Sequence, residues 1–190
     1  MFRRGFPFRP PMPFLGFLNP MLQRILGQAN QAFETGDFAQ AAEHYTRLAE
    51  RAVIRGKPRA GNWLIKAGQS NVLAGNKTEG MQQVFRGLDL LRTQGRQRDL
   101  GKIAWRTIEL FKNNGLNDES RQVSDWVQGK APEILVQEPA VSETAEQTPS
   151  RQRLPSKCPS CGAPVHTGTV DWVDNGQAAC AYCDSLLPEG

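Results

Sequence analysis

Residues 29–45 read Ala-Asn-Gln-Ala-Phe-Glu-Thr-Gly-Asp-Phe-Ala-Gln-Ala-Ala-Glu-His-Tyr, and the parsing of this stretch decides the fold class. Upstream and into it, Leu22, Ile25, Leu26, Ala29, Ala32 and Phe33 recur at three- and four-residue steps. That spacing is one apolar face of a helix. Downstream, Phe38, Ala41, Ala42, Tyr45, Leu48, Ala49 and Ala52 make a second such face. Thr35-Gly36-Asp37 breaks the pattern between them. Glycine closes a helix because it enters the left-handed conformation without steric cost, and aspartate caps the next one by accepting a first-turn N–H. The stretch is therefore expected to be a helical hairpin. Asn19-Pro20 is expected to open its first helix, as cap and first-turn residue.

The pattern continues along the chain. A third helix is predicted to carry Trp63, Leu64, Ala67 and Leu73, and a fourth Met81, Val84, Phe85, Leu88 and Leu91. The fifth has Leu100, Ile103, Ala104, Ile108 and Phe111; the sixth, capped by Asn117, has Val123, Trp126 and Val127. The turns Gly36-Asp37, Gly75-Asn76 and Gly115-Leu116-Asn117 fall 39 and 40 residues apart. Hairpins at a near-constant period predict a mainly α fold, an α-solenoid of about six helices over residues 20–130. The first hairpin resembles a tetratricopeptide repeat: Ala29, Ala32, Gly36, Phe38, Ala41 and Tyr45 fall on that family's packing positions. Gly68, Asn71 and Gly80 take corresponding places in the second hairpin, and the third keeps little beyond its glycine. The resemblance implies a concave surface for peptides or protein segments.

All four cysteines lie in the last 33 residues, as Cys158-Pro159-Ser160-Cys161 and Cys180-Ala181-Tyr182-Cys183. Two Cys-x-x-Cys pairs with eighteen residues between them have the spacing of a tetrahedral metal site. Cys158, Cys161, Cys180 and Cys183 are the expected ligands of one structural zinc ion. Iron is the competing metal, and two disulfides or a redox pair are the competing chemistries. Four thiolates close a tetrahedral shell, which leaves no position for a catalytic water. The segment 157–190 resembles a zinc ribbon with rubredoxin-type knuckles, Gly162 supplying the positive φ of the first turn. Its strands are expected over Ala163–Val170 and Val170–Cys180, turning at Asp174-Asn175-Gly176, with Trp172 and Leu186-Leu187 covering a small core. His166 reads as an exposed hairpin residue.

Charge is unevenly placed. Residues 1–30 hold four arginines and no acid, whereas residues 158–190 hold four acids and no Lys or Arg. An acidic ribbon repels phosphates, so nucleic acid is not expected to bind there. Arg86, Arg92, Arg96, Arg98, Lys102 and Arg106 gather around the fourth and fifth helices. Interleaved with Asp89, Asp99 and Glu109, they read as a solvated face in preference to a dock for an acidic peptide. Trp63, Trp105 and Trp126 are expected to pack between helices.

Residues 1–19 contain five phenylalanines among four prolines, which forbid a regular helix. Such an arm folds over the helices or anchors the chain to a partner or an anionic membrane. Residues 131–156, rich in Pro, Glu, Ser, Thr and Gln, read as a disordered linker that leaves the ribbon free to move. No run is long and apolar enough for a membrane helix, and the arm lacks a clean export signal, so a cytoplasmic setting is expected. No phosphate loop, nucleophile elbow or His-Glu-x-x-His appears. The expectation is a non-enzymatic adaptor with a protein partner. A nucleic-acid-associated factor and a membrane-peripheral protein held by the arm are the alternatives, and the oligomeric state is open.

Overall fold

The computed structural model describes residues 20–134, and after them 154–159, 161–163, 165, 170–172, 178–180 and 186–187. Six helices fill the first span: α1 Pro20–Glu34, α2 Phe38–Ile54, α3 Ala60–Leu73, α4 Lys77–Thr93, α5 Gln97–Asn113 and α6 Asn117–Lys130. The fold is mainly α, and each helix packs chiefly on its neighbours in sequence. The N-terminal arm and its expected cap Asn19 lie outside the described residues.

One turn serves all five junctions. Residues 36, 56, 75, 95 and 115 are glycines of positive φ, so the sequence period of 39–40 residues resolves into helices repeating about every twenty. Gly75, at φ 94°, illustrates the turn. Its N–H donates to Val72 O at 3.1 Å and the Asn76 N–H to Asn71 O at 2.8 Å. This paired closure satisfies two carbonyls that a helix end otherwise leaves bare. Asp37 caps α2 as expected, accepting from the Gln40 N–H at 3.1 Å. Asn117 does not cap α6: it is the first helical residue, and Leu116 holds the cap position without a side-chain bond.

Helix α3 is the centre of the stack. Ala60, Trp63, Leu64 and Ala67 join a core with α1 and α2, while Ile65 and Val72 join a second core with α4, α5 and α6. A helix buried nearly all round needs small residues somewhere, and here they meet α4. Gly61 and Gly68 on α3 face Gly87 and Gly80 on α4; a Cβ at Gly68 would stand 2.5 Å from the Gly80 carbonyl oxygen. The two backbones touch. Trp63 is buried and Trp126 stacks on Phe85 at 6.3 Å, so both tryptophans fill space between helices as expected.

Past α6 the expected linker does not begin at once. Ala131 is fully buried, its N–H donates to Val127 O at 2.8 Å, and Ile134 packs on the second core. Residues 135–153 lie outside the described set. Leu154 then packs against the first core.

The C-terminal segment has two two-residue strands, β1 Asp171–Trp172 and β2 Ala178–Ala179, antiparallel with Asp171 opposite Ala179. Both strands fall within the stretch 170–180 expected for the return strand; of the stretch 163–170 expected for the first strand, only Ala163, Val165 and Val170 are described. Ala163 O accepts from the Cys158 N–H at 2.8 Å, and the Val165 N–H donates to Ser156 O at 3.0 Å. The predicted turn 174–176, and with it His166, lies outside the described residues. Leu187 is buried and Leu186 exposed; the Leu187 N–H donates to Ala178 O at 2.8 Å.

Candidate metal centre

Cys158 and Cys161 stand on one tight turn. The Gly162 N–H donates to Cys158 O at 2.8 Å, and Gly162 adopts φ 72°, a conformation that a side chain would strain. The β1–β2 pair returns the chain so that Cys180, directly after β2, reaches the same point. The sulfurs of Cys158, Cys161 and Cys180 all lie within 4.8 Å of one another, and each of these residues is only 2% exposed. Cys183, the fourth expected ligand, lies outside the described residues.

The three described cysteines are free thiols. Cys161 Sγ and Cys180 Sγ are 3.7 Å apart, far from the roughly 2.05 Å of an S–S bond. A tetrahedral shell with metal–sulfur bonds of about 2.3 Å has sulfur–sulfur edges of about 3.8 Å. Three converging buried thiolates would repel one another in a low dielectric, and a divalent cation removes that penalty. The donor set therefore fits a thiophilic metal ion, and the three cysteines could hold one.

The centre is docked on the helices, contrary to the freely moving ribbon expected from the linker. Cys158, Cys161, Ala163, Val170, Ala178, Cys180 and Leu187 belong to the same core as Ile25, Leu26 and Ala29 of α1. A small buried residue set cannot close a core of its own, and burial against a ready-made helical face supplies the rest. Gly27 of α1 lies under the first knuckle, a Cβ there falling 3.5 Å from Cys161 O. Asn30, 2% exposed, donates from Nδ2 to Cys161 O at 3.5 Å and accepts the Tyr45 hydroxyl at 2.5 Å through Oδ1. Sequence reasoning did not place Gly27 or Asn30 here, and it gave Tyr45 only a packing role. The one available signal was Asn30 itself, a polar residue between Ala29 and Ala32 on a helix that buries its neighbours.

Two arginines of the basic cluster are paired within the fold. Arg92 pairs with Asp89 at 2.8 Å. Arg96 pairs with Asp99 at 2.8 Å and donates to Pro58 O at 2.8 Å, tying α5 to the start of α3. Elsewhere the ammonium of half-buried Lys66 lies 5.0 Å from the centre of the Phe33 ring. Burial, then Arg106, push its pKa down to about 8, with Glu34 pulling the other way. Glu119 on α6 meets Lys77 on α4 at 2.8 Å, and that hydrogen bond holds its carboxyl below the usual range against the opposing effect of burial.

Among the described residues, no helix is long and apolar enough to cross a membrane. No protein-family model matches the chain, and neither a curated protein nor a solved structure resembles it significantly.

Proposed function

We propose that the chain is a non-enzymatic interaction adaptor, a tetratricopeptide-like helical repeat that carries a structural zinc module. The observation that supports this most is the convergence of three buried thiols at tetrahedral spacing. Cys183, by its Cys-x-x-Cys spacing from Cys180, is the fourth ligand. A shell of four thiolates has no open coordination position, so the metal stabilises the fold and does not activate water. The helices offer the complementary half of the argument: stacked hairpins leave extended faces of the kind on which protein segments dock. Internal pairing of Arg92 and Arg96 favours a protein partner over a phosphate backbone.

Crosslinking and pull-down from the native cell, with the full chain and with a chain ending at residue 134, test the reading. The adaptor predicts a stoichiometric protein partner in both samples or in the full chain alone. Recovery of nucleic acid in a salt-sensitive complex, with no protein partner, would replace it by the nucleic-acid reading.

A further inference from the structure

The metal loop and the helical body share a hydrogen-bonded contact that neither a tethered ribbon nor an independent repeat domain requires. Asn30 sits at its middle. Its side chain is 2% exposed, and so few water contacts oblige both ends of the amide to find protein partners. Oδ1 accepts the hydroxyl of Tyr45, itself 1% exposed, which fixes the orientation of the amide. Nδ2 then points at the carbonyl of Cys161, a residue 131 positions later that carries one of the converging sulfurs. Gly27, one turn earlier on α1, admits the same carbonyl.

Groups that hold a metal ligand from behind set its orientation and hence the affinity of the centre. We propose that α1 and α2 supply such an outer shell: Asn30, oriented by Tyr45, is a positioning residue of the metal centre. Metal occupancy and the stability of the first helical hairpin are thereby coupled. The coupling is reciprocal, because a metal that stabilises the docked knuckle must be bound more tightly by the docked form. When the ion leaves, the Cys161 carbonyl loses its fixed position and the amide of Asn30 loses its buried acceptor. The C-terminal module thus acts as a metal-dependent cap on α1, the first helix among the described residues. This inference rests on the metal reading given above.

The test uses the full chain loaded with zinc alone. Competition with a chromophoric chelator reports zinc affinity, and circular dichroism at 222 nm reports helix melting with and without the metal. Asn30→Asp keeps the acceptor for Tyr45 and removes the donor to Cys161. It is expected to weaken zinc binding about tenfold and to shrink the fall in helix melting temperature caused by zinc removal. Tyr45→Phe should do the same more weakly. If Asn30→Asp fails to fold, Cys158→Ser carries the test from the other side: it should lower the helix melting temperature as far as chelation does, with no further drop on adding chelator. Wild-type zinc affinity in the folded Asn30→Asp protein overturns the inference and leaves the metal centre standing. So does helix melting indifferent to zinc in the wild type. A wild-type chain that takes up no zinc overturns the metal reading as well.

Discussion

Gly68→Ala is the sharpest probe of how the stack is built. In an open helix this change should help, since alanine is favoured over glycine by about 1 kcal/mol. At Gly68 the new Cβ would lie 2.5 Å from Gly80 O and 2.7 Å from both Val84 Cγ2 and Val84 N. Two of those atoms are backbone, so no rotamer change relieves the contact and α3 and α4 must separate. Separation also loosens Ile65 and Val72, which reach into the second core across the same seam. Overpacking costs about 1–3 kcal/mol and sometimes more; two backbone atoms within 3 Å place Gly68 in the upper half of that range, above the propensity gain. The net expectation is a loss of about 1–2 kcal/mol, or roughly 3–8 °C in melting temperature for a domain of this size. Gly129→Ala is the internal comparison: it lies in α6 with nothing within 4 Å of its Cβ position and should gain about 0.5–1 kcal/mol. Urea unfolding followed at 222 nm reads both. Equal stabilisation by the two substitutions would refute the backbone contact between α3 and α4.

Two further outcomes concern charge. Lys66, at a pKa of about 8 against 10.5 for the ordinary side chain, has lost its proton in the folded state at pH values where the unfolded chain still holds it. Stability should therefore rise with pH between about 8 and 10.5, and the penalty for the buried charge is fully present below that window. Lys66→Met should raise the urea midpoint at pH 7 and abolish the rise; an unchanged pH profile would remove Lys66 as its source. For Glu119 the sign is opposite. Its lowered carboxyl pKa contributes stability above the unfolded value near 4.5, lost as pH falls through the folded value. Glu119→Gln should cost about 1 kcal/mol at neutral pH, given that Lys77 is half exposed. The gap should close in acid, and a gap that persists at pH 3 would assign the effect to packing.

The helices were legible because their information is local. Apolar steps of three and four, and glycines at the turns, act within a few residues and need no distant partner. The positive φ at 36, 75 and 115 was implied by spacing alone; Gly56 and Gly95, which halve the period, carried the same signal. Gly61, Gly68, Gly80 and Gly87 also show a seven-residue step within each helix, but only an assembled pair reveals that the steps face each other. The convergence of Cys158, Cys161 and Cys180 was suggested by their spacing for a similar reason, since coordination would fix the ligand types. Their docking was not legible. The contact of Asn30 with Cys161 joins residues 131 apart, and no periodicity records such a pairing. The bonds from Ala163 and Val165 back to Cys158 and Ser156 escaped as well, because the sequence after Cys161 carries no pattern that records them.

The measurement that bears most directly on the account is sulfur and metal speciation in the purified full chain by X-ray absorption at the zinc and iron edges, with metal counted per chain. One zinc ion per chain surrounded by four sulfurs at about 2.3 Å is the predicted result. A chain without metal whose cysteines are joined in disulfides, or an ion bound chiefly through oxygen and nitrogen, would contradict it.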